Sequence, residues 1–382
     1  MSTNSPLEVK IGSSFAEDEE QAVQELFDQI HQRDTEAVIF FCSSKYELDR
    51  LGGALKARFP CCLIGCTTAG EITSTGYHEG SLTGVSLGGD TSPGTLRVHS
   101  RLISPLSKFS HEEAEAMADS IRKDLEFSST VDQDKMFGLL LVDGMSMLEE
   151  TTIALIHRQF QSISIIGGSA GDDLKFKNTQ VYGDGHFISD AAVFTLIETT
   201  LPFHIFKTQH FEPTDKKLVI TEADPDHRRV FEINGESAAQ AYAEILGLET
   251  RQLNPMVFSS HPVMLKIGGE YYVRSIQKVN EDDSLSFYCA IDNGLVLTVA
   301  EGVDLVQNLQ QQLSEIEKHV PNPRLILGCD CILRRLEAQE KKIADDVRKV
   351  LECHNFVGFS TYGEQFNAIH VNQTLTGVAI GG

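Results

Sequence analysis

Two turns of this chain begin and end on glycine and close on a carboxylate: Gly65-Cys-Thr-Thr-Ala-Gly-Glu71 and Gly358-Phe-Ser-Thr-Tyr-Gly-Glu364. Their Gly-x-x-x-x-Gly spacing is that of a phosphate-cradling loop, but such a loop continues with Lys-Ser/Thr, whose lysine meets the phosphates. A glutamate at that place repels them. The glycines permit positive φ and close backbone approach, and the Thr and Ser hydroxyls can satisfy turn amides. Glu71 and the pair Asp172-Asp173 are of the right type for acid–base work, although acids in turns are more often solvated or capping. Nucleophiles stand beside carboxylates in Asp143-Gly-Met-Ser146 and Asp330-Cys331, without a Ser/His/Asp or Cys/His order. The expectation from sequence is therefore that the chain is not an enzyme. Arg274, after Tyr271-Tyr272-Val273, and Arg334 and Arg335, at the start of a helix, could each hold a ligand carboxylate or an internal ion pair. Cys61-Cys62-x-x-x-Cys66 and Cys329-x-Cys331 lack the usual spacing of a zinc site and read as small buried hydrophobes.

The 382 residues carry a formal charge of −23. A field of that sign repels phosphate backbones and anionic headgroups, which argues against nucleic acid and against membrane insertion. No apolar run approaches the roughly 18 residues of a membrane helix. The N-terminus lacks the basic and apolar regions of a signal peptide. Eight cysteines in so long a chain do not suggest a disulfide framework, and a cytoplasmic location is expected.

Periodicity places the elements that must position these residues. Residues 13–33 read as an amphipathic helix started by Ser13 or Ser14, with Ala22, Val23, Leu26, Phe27 and Ile30 inward. Ala37–Cys42 is a buried strand. Ser44-x-x-Glu47 is a capping box for a helix that ends at Pro60, and Cys61–Gly65 is the next strand. The order recurs as strand 136–142, helix 147–160, strand 164–167 and strand 191–197. It recurs again as strand 324–327, helix 331–353 and strand 356–358. The region 215–320 is different, with strands at 217–220, 271–274 and 285–289 and helices at 235–246 and 303–318. A boundary falls near 200–215.

The two glycine turns belong to an internal repeat. Ser81-Leu-Thr-Gly-Val-Ser-Leu-Gly-Gly89 and Thr374-Leu-Thr-Gly-Val-Ala-Ile-Gly-Gly382 follow them at one offset. A weaker copy is Gly167-Gly-Ser-Ala-Gly-Asp-Asp173, whose glycines are four apart instead of five. Parallel crossovers and return strands together predict an α/β fold with mixed α+β sheets built from repeated strand-helix-strand-turn-strand units.

The chain resembles the FIST proteins, bacterial sensory proteins with a FIST-N and a FIST-C half. The resemblance rests on Gly65-x-Thr-x-Ala-Gly-Glu71, Gly167-Gly-Ser-Ala-Gly-Asp172, Arg334, Gly358-Phe-Ser-Thr-Tyr-Gly-Glu364 and His370-Val-Asn-Gln-Thr374. It implies an N-terminal helix over 1–34, FIST-N over 35–205 and FIST-C over 206–382. Asp330-Cys-Ile-Leu-Arg-Arg-Leu-Glu337 and Gly358–Gln365 further resemble the NosP type, which implies a haem-binding nitric oxide sensor. Such a sensor reports to a partner histidine kinase in a two-component system that controls biofilm and cyclic-di-GMP signalling, and a homodimer is compatible with it. The group would be non-covalent haem b, because no Cys-x-x-Cys-His is present. Its iron ligand is expected among His210, His204 and His370, of which the first two flank the aromatic 203–211 stretch at the domain junction. Arg274 and Arg335 are candidates for the propionates. The alternative within the family is a haem-free module for an amino acid or a similar metabolite.

Overall fold

The structure, a computed structural model, describes residues 7–88, 95–126 and 133–382. Residues 1–6 and Gly89 lie outside them. The chain forms two compact units. The first holds the described residues up to Thr208, Gln310–His370 and Leu375–Gly382, and the second holds Gln209–Leu309 with Val371–Thr374.

The first unit is one pattern made three times. Copy one runs β1 (Glu8–Ser14), α1 (Glu19–Ile30), β2 (Thr35–Ser43), α2 (Leu48–Arg58), β3 (Cys62–Thr68), a hairpin β4–β5 (Glu71–Thr73, Gly76–His78) and a return strand β6 (Leu82–Gly88). Copy two is β7 (Leu96–Ile103), α3 (His111–Glu126), β8 (Met136–Val142), α4 (Glu149–Gln159), β9 (Ser164–Ser169), hairpin β10–β11 (Val181–Gly183, His186–Ile188) and return β12 (Ala192–Thr199). Copy three opens with β13 (Phe203–Gln209), and the second unit is inserted after it.

That unit contains β14 (Phe211–Asp224), β15 (Arg229–Ile233), β16 (Glu236–Ser237), α5 (Ala238–Leu246), α6 (Pro255–Ser260), β17 (Val263–Ile267), β18 (Glu270–Arg274), β19 (Ile276–Val279), β20 (Leu285–Phe287) and β21 (Val296–Gly302). Its strands form one antiparallel, eight-stranded sheet with its own core of Leu218, Ile220, Val263, Leu297 and Val299 under α5 and α6. Copy three resumes with α7 (Leu305–His319), β22 (Leu325–Cys331), α8 (Ile332–Glu340), α9 (Ala344–Leu351), β23 (Phe356–Thr361), hairpin β24–β25 (Glu364–Phe366, Ile369–Val371) and return β26 (Thr374–Ile380).

Each copy has a six-stranded mixed sheet in the same order: lead, return, first parallel strand, second parallel strand, hairpin. The hairpin is never the copy's own. β10 pairs with β3, β24 with β9, and β4 with β23, so copy two completes one, three completes two, and one completes three. Continuous apolar runs make the paired strands β2, β8 and β22 buried on both faces. Their inner faces share one core, in which Phe41 stacks on Phe359 at 4.4 Å.

The mixed α/β class expected from sequence is what the chain adopts, and the copy that reads as weak is a full third member. The glycine turns align on their second glycine, two residues after β3, β9 and β23: Gly70, Gly171 and Gly363. Copy two has Ile166 at the place of the first glycine because its close approach falls one residue later. A Cβ on Gly167 would lie 1.9 Å from the Leu140 carbonyl, as one on Gly358 would lie 2.0 Å from that of Gly328.

Some local expectations fail for identifiable reasons. Ser13 and Ser14 end a strand, and Asp18 caps α1 by accepting from the Gln21 amide. Glu47 is itself the N-cap of α2, taking the Asp49 and Arg50 amides, while the Ser44 hydroxyl is drawn away to Asp173. The long helix 331–353 breaks into α8 and α9 at Lys342, whose φ is 58°. Leu336, in the middle of α8, is exposed.

Candidate functional site

In the first unit the three parallel strands deliver equivalent residues to their carboxyl ends, with Ser43 beside Thr68, Val142 beside Ser169, and Cys331 beside Thr361. The turns that follow interlock through backbone bonds. Ala69 N–H donates to Ser360 and Ser360 N–H to Gly70, Gly171 N–H to Thr67, and Ser169 N–H to Gly363. Each turn hides its acid. Glu71 accepts from Thr68 Oγ1 at 2.6 Å and from the Ser81 hydroxyl and amide. Glu364 accepts from Thr361 Oγ1 at 2.5 Å. Burial pushes Glu71 up to about 7, against the pull of those hydroxyl donors. Asp172 goes the other way. Burial raises it, but the Tyr362 hydroxyl and the amides of Phe176, Lys177 and Asn178 outweigh that and hold it below the ordinary aspartate value.

The acids that sequence offered for acid–base work are thus structural acceptors within the turns. Asp173 likewise takes the Ser43 and Ser44 hydroxyls at 2.9 and 2.7 Å. Copy two alone inserts eight residues between its acid and its hairpin, from Asp173 to Gln180, and Asp172 fastens that loop.

The five residues expected to serve haem divide between the two units, His204, Arg335 and His370 in the first and His210 and Arg274 in the second. His204 lies on β13, half-buried, with its ring 4.1 Å from that of exposed His319 and nearly parallel to it. Burial, then the neighbouring imidazole, lowers its pKa. His370, on β25, is buried. Its Nδ1 accepts from Gln365 Nε2 at 3.2 Å, which assigns its proton to Nε2, and the same amide donates to Ser169 Oγ at 3.0 Å. Arg335, at the start of α8, is also buried. It donates to the Ala69 carbonyl at 2.7 Å, pairs with Glu79 and lies over the Tyr77 ring, so its guanidinium pins the first glycine turn. A Cβ on Gly70, whose φ is +126°, would fall 1.8 Å from that guanidinium. Arg334 pairs with Asp330 at 2.6 Å, and Asp330 also accepts from the Tyr77 hydroxyl.

His210 and Arg274 belong to the second unit. His210 is fully buried against the Phe211 ring at 4.2 Å, and Arg274 is buried at the end of β18, opposite Val263. Grooves among the described residues are walled by segments such as Pro321–Arg324 with Cys353–Asn355, and by Asp49, Arg50, Gly53 and Ala54 with Ala57 and Arg58. The eight cysteines form no disulfide. Cys66, Cys329 and Cys331 are buried, burial raises the Cys66 and Cys329 thiols, and among the described residues no cluster of three or more His, Cys, Asp or Glu could hold a metal.

Residue-type reasoning passed over a different set in the second unit. Ser275 follows Arg274, and its amide donates to Asn372 Oδ1 at a long 3.4 Å. Ser275, Asn372 and Gln373 are 0%, 1% and 2% exposed. Ser275 Oγ and both polar atoms of the Gln373 amide meet no protein partner. Buried polar atoms in folded proteins are nearly always satisfied, which sets these three apart. The signal lay in the repeat. Gln373 aligns with Gly80, a left-handed position at φ 69°, and itself has φ 52°.

Comparison with known proteins gives the following. The FIST N domain matches residues 36–236 and the FIST C domain residues 238–367. The uncharacterized protein MJ1623 of Methanocaldococcus jannaschii is 26% identical over 283 residues, and the matched stretch covers 64% of this chain and 54% of that protein. The chain therefore spans about half the length of this relative. Two solved cyanuric acid hydrolases, one of them from A. caulinodans, align along 98% of the chain at 9% and 10% identity, each with a TM-score of 0.36. The expectation that the chain is not an enzyme is corrected on this finding, since both of these aligned proteins are hydrolases. A likeness that distant carries no activity across. Among the described residues no helix is long and apolar enough to cross a membrane. With the FIST N match alone covering more than half of the residues, and the glycine turns and the His370–Thr374 segment in place, this chain belongs to the FIST family of sensory proteins.

Proposed function

We propose that the chain is a haem-free ligand-sensing module that takes up an amino acid or a similar small metabolite in its second unit and signals its occupancy to a partner protein. The observation that supports this is the set of buried polar atoms on Ser275 and Gln373 that no protein group satisfies. Hydroxyl and amide groups suit a small hydrogen-bonding molecule and are poorly matched to a porphyrin.

The competing reading is the haem-bound nitric oxide sensor with a histidine kinase partner and cyclic-di-GMP output. One feature favours it: the half-buried His204 on the exposed His319 presents imidazole that a haem could reach from solvent. Protein expressed with iron and a haem precursor separates the two. The expected result is no Soret band, no retention of added hemin on desalting, and a raised melting temperature with at least one member of an amino acid panel. A Soret band that survives desalting and disappears in His204→Ala would overturn the proposal in favour of haem.

A further inference from the structure

We infer that Gln373 and Ser275 form a recognition site for a carboxamide edge, the side-by-side C=O and N–H of a primary or cyclic amide. The inference deepens the small-molecule reading above and rests on it. The threefold repeat of the first unit acts as an internal control. Each return strand is preceded by one left-handed residue: Gly80 before β6, Asp190 before β12 and Gln373 before β26. Glycine and aspartate are suited to that conformation, and glutamine is not. Copies one and two show that the turn forms without an amide there. Copy three alone sets a long amide on a backbone that disfavours it, buries it to 2% and gives it no protein partner. Uncommon conformations of this kind persist at binding sites, where the surroundings impose them.

The chemistry of the vacant valences selects the ligand class. The Gln373 amide offers one acceptor and a donor nitrogen in one plane, and the Ser275 hydroxyl offers either role. A carboxamide answers both halves of Gln373 at once. A carboxylate supplies acceptors only and would leave Gln373 Oε1 without a donor in a buried site, where such a loss discriminates strongly. Asn372, beside Gln373, is buried as well and joins the two segments by accepting from the Ser275 amide, and Arg274, beside Ser275, is also buried.

The test uses the full chain and matched pairs of compounds: glutamine with glutamate, asparagine with aspartate, nicotinamide with nicotinate, and hydantoin alone, read by calorimetry and thermal shift. At least one amide is expected to bind, its carboxylate twin at least tenfold more weakly. Gln373→Met and Ser275→Ala are each expected to lose at least tenfold in affinity for that amide. Ligand-free Gln373→Met should melt no lower than wild type, because it removes a buried amide that the protein does not satisfy. Equal or tighter binding of the carboxylate twin overturns the carboxamide assignment. Unchanged amide binding in both variants places the ligand elsewhere and overturns the site, while the sensor reading stands. Absence of binding across every pair overturns the inference. Whether the sensor reading then falls too is decided by the absorbance and amino acid experiments above.

Discussion

At the residue scale the most informative groups are the hidden acids of the glycine turns. Glu71 is carried from its ordinary 4.5 to about 7 by burial. Its folded form therefore holds a proton that the unfolded form has released, and stability falls as pH rises from about 4.5 to about 7. Glu71→Gln should remove that slope, so that denaturant midpoints of variant and wild type agree near pH 4.5 and the variant is the more stable at pH 8. A parallel slope in both proteins would show that Glu71 is ionised throughout. The Thr-x-Gly-Glu pattern of these turns was readable in the sequence, and its failure as a phosphate loop was readable too. The role of Glu71 was not, because a carboxylate in a turn is ordinarily solvated, and only the stacked turns of the other copies seal this one. Gln373 was hidden for a related reason. Its neighbours His370 and Thr374 mark the family pattern, but the strain at Gln373 shows only when its backbone is set against Gly80.

At the scale of elements the sequence read well where one period governs, as in β8, whose seven buried residues are one apolar run. It read poorly where a side chain is claimed by a distant partner. Ser44 fits a capping box locally, yet Asp173, far along the chain, takes its hydroxyl and leaves Glu47 to cap α2. Two outcomes follow from such distant claims. Asp172→Ala removes the acceptor of three consecutive amides in the 173–180 loop, so hydrogen exchange at Phe176, Lys177 and Asn178 should accelerate, with a loss of about 1–3 kcal/mol in unfolding free energy. Gly70→Ala drives a methyl into the Arg335 guanidinium on a left-handed backbone and should cost at least about 2 kcal/mol by urea denaturation. Arg335→Ala in the same background should recover part of that loss, which would identify the clash as its source.

At the scale of the molecule, the first unit has three copies of one motif and no copy that is complete by itself. Because β10–β11, β24–β25 and β4–β5 each finish another copy's sheet, the unit should unfold in one step. Native-state hydrogen exchange checks this: amides of β2, β8 and β22 are expected to open at one common free energy. Three separate values would show that the copies are independent domains. Sequence made the first and third copies plain and the second faint, because turn residues were compared by glycine position, and the packing that demands a glycine slides by one residue in copy two.

The exchange of hairpins also bears on how the chain is made. Strand β3 waits for β10, whose Val181 faces Cys66 from 115 residues downstream, and β9 waits for β24, where Glu364 meets Gly168 from 196 downstream. At roughly 5–20 residues per second on a ribosome, those edges stay open for roughly 6–40 seconds. For that interval a nascent chain presents apolar parallel strands with bare hydrogen-bonding edges, a state in which chaperone capture competes with aggregation.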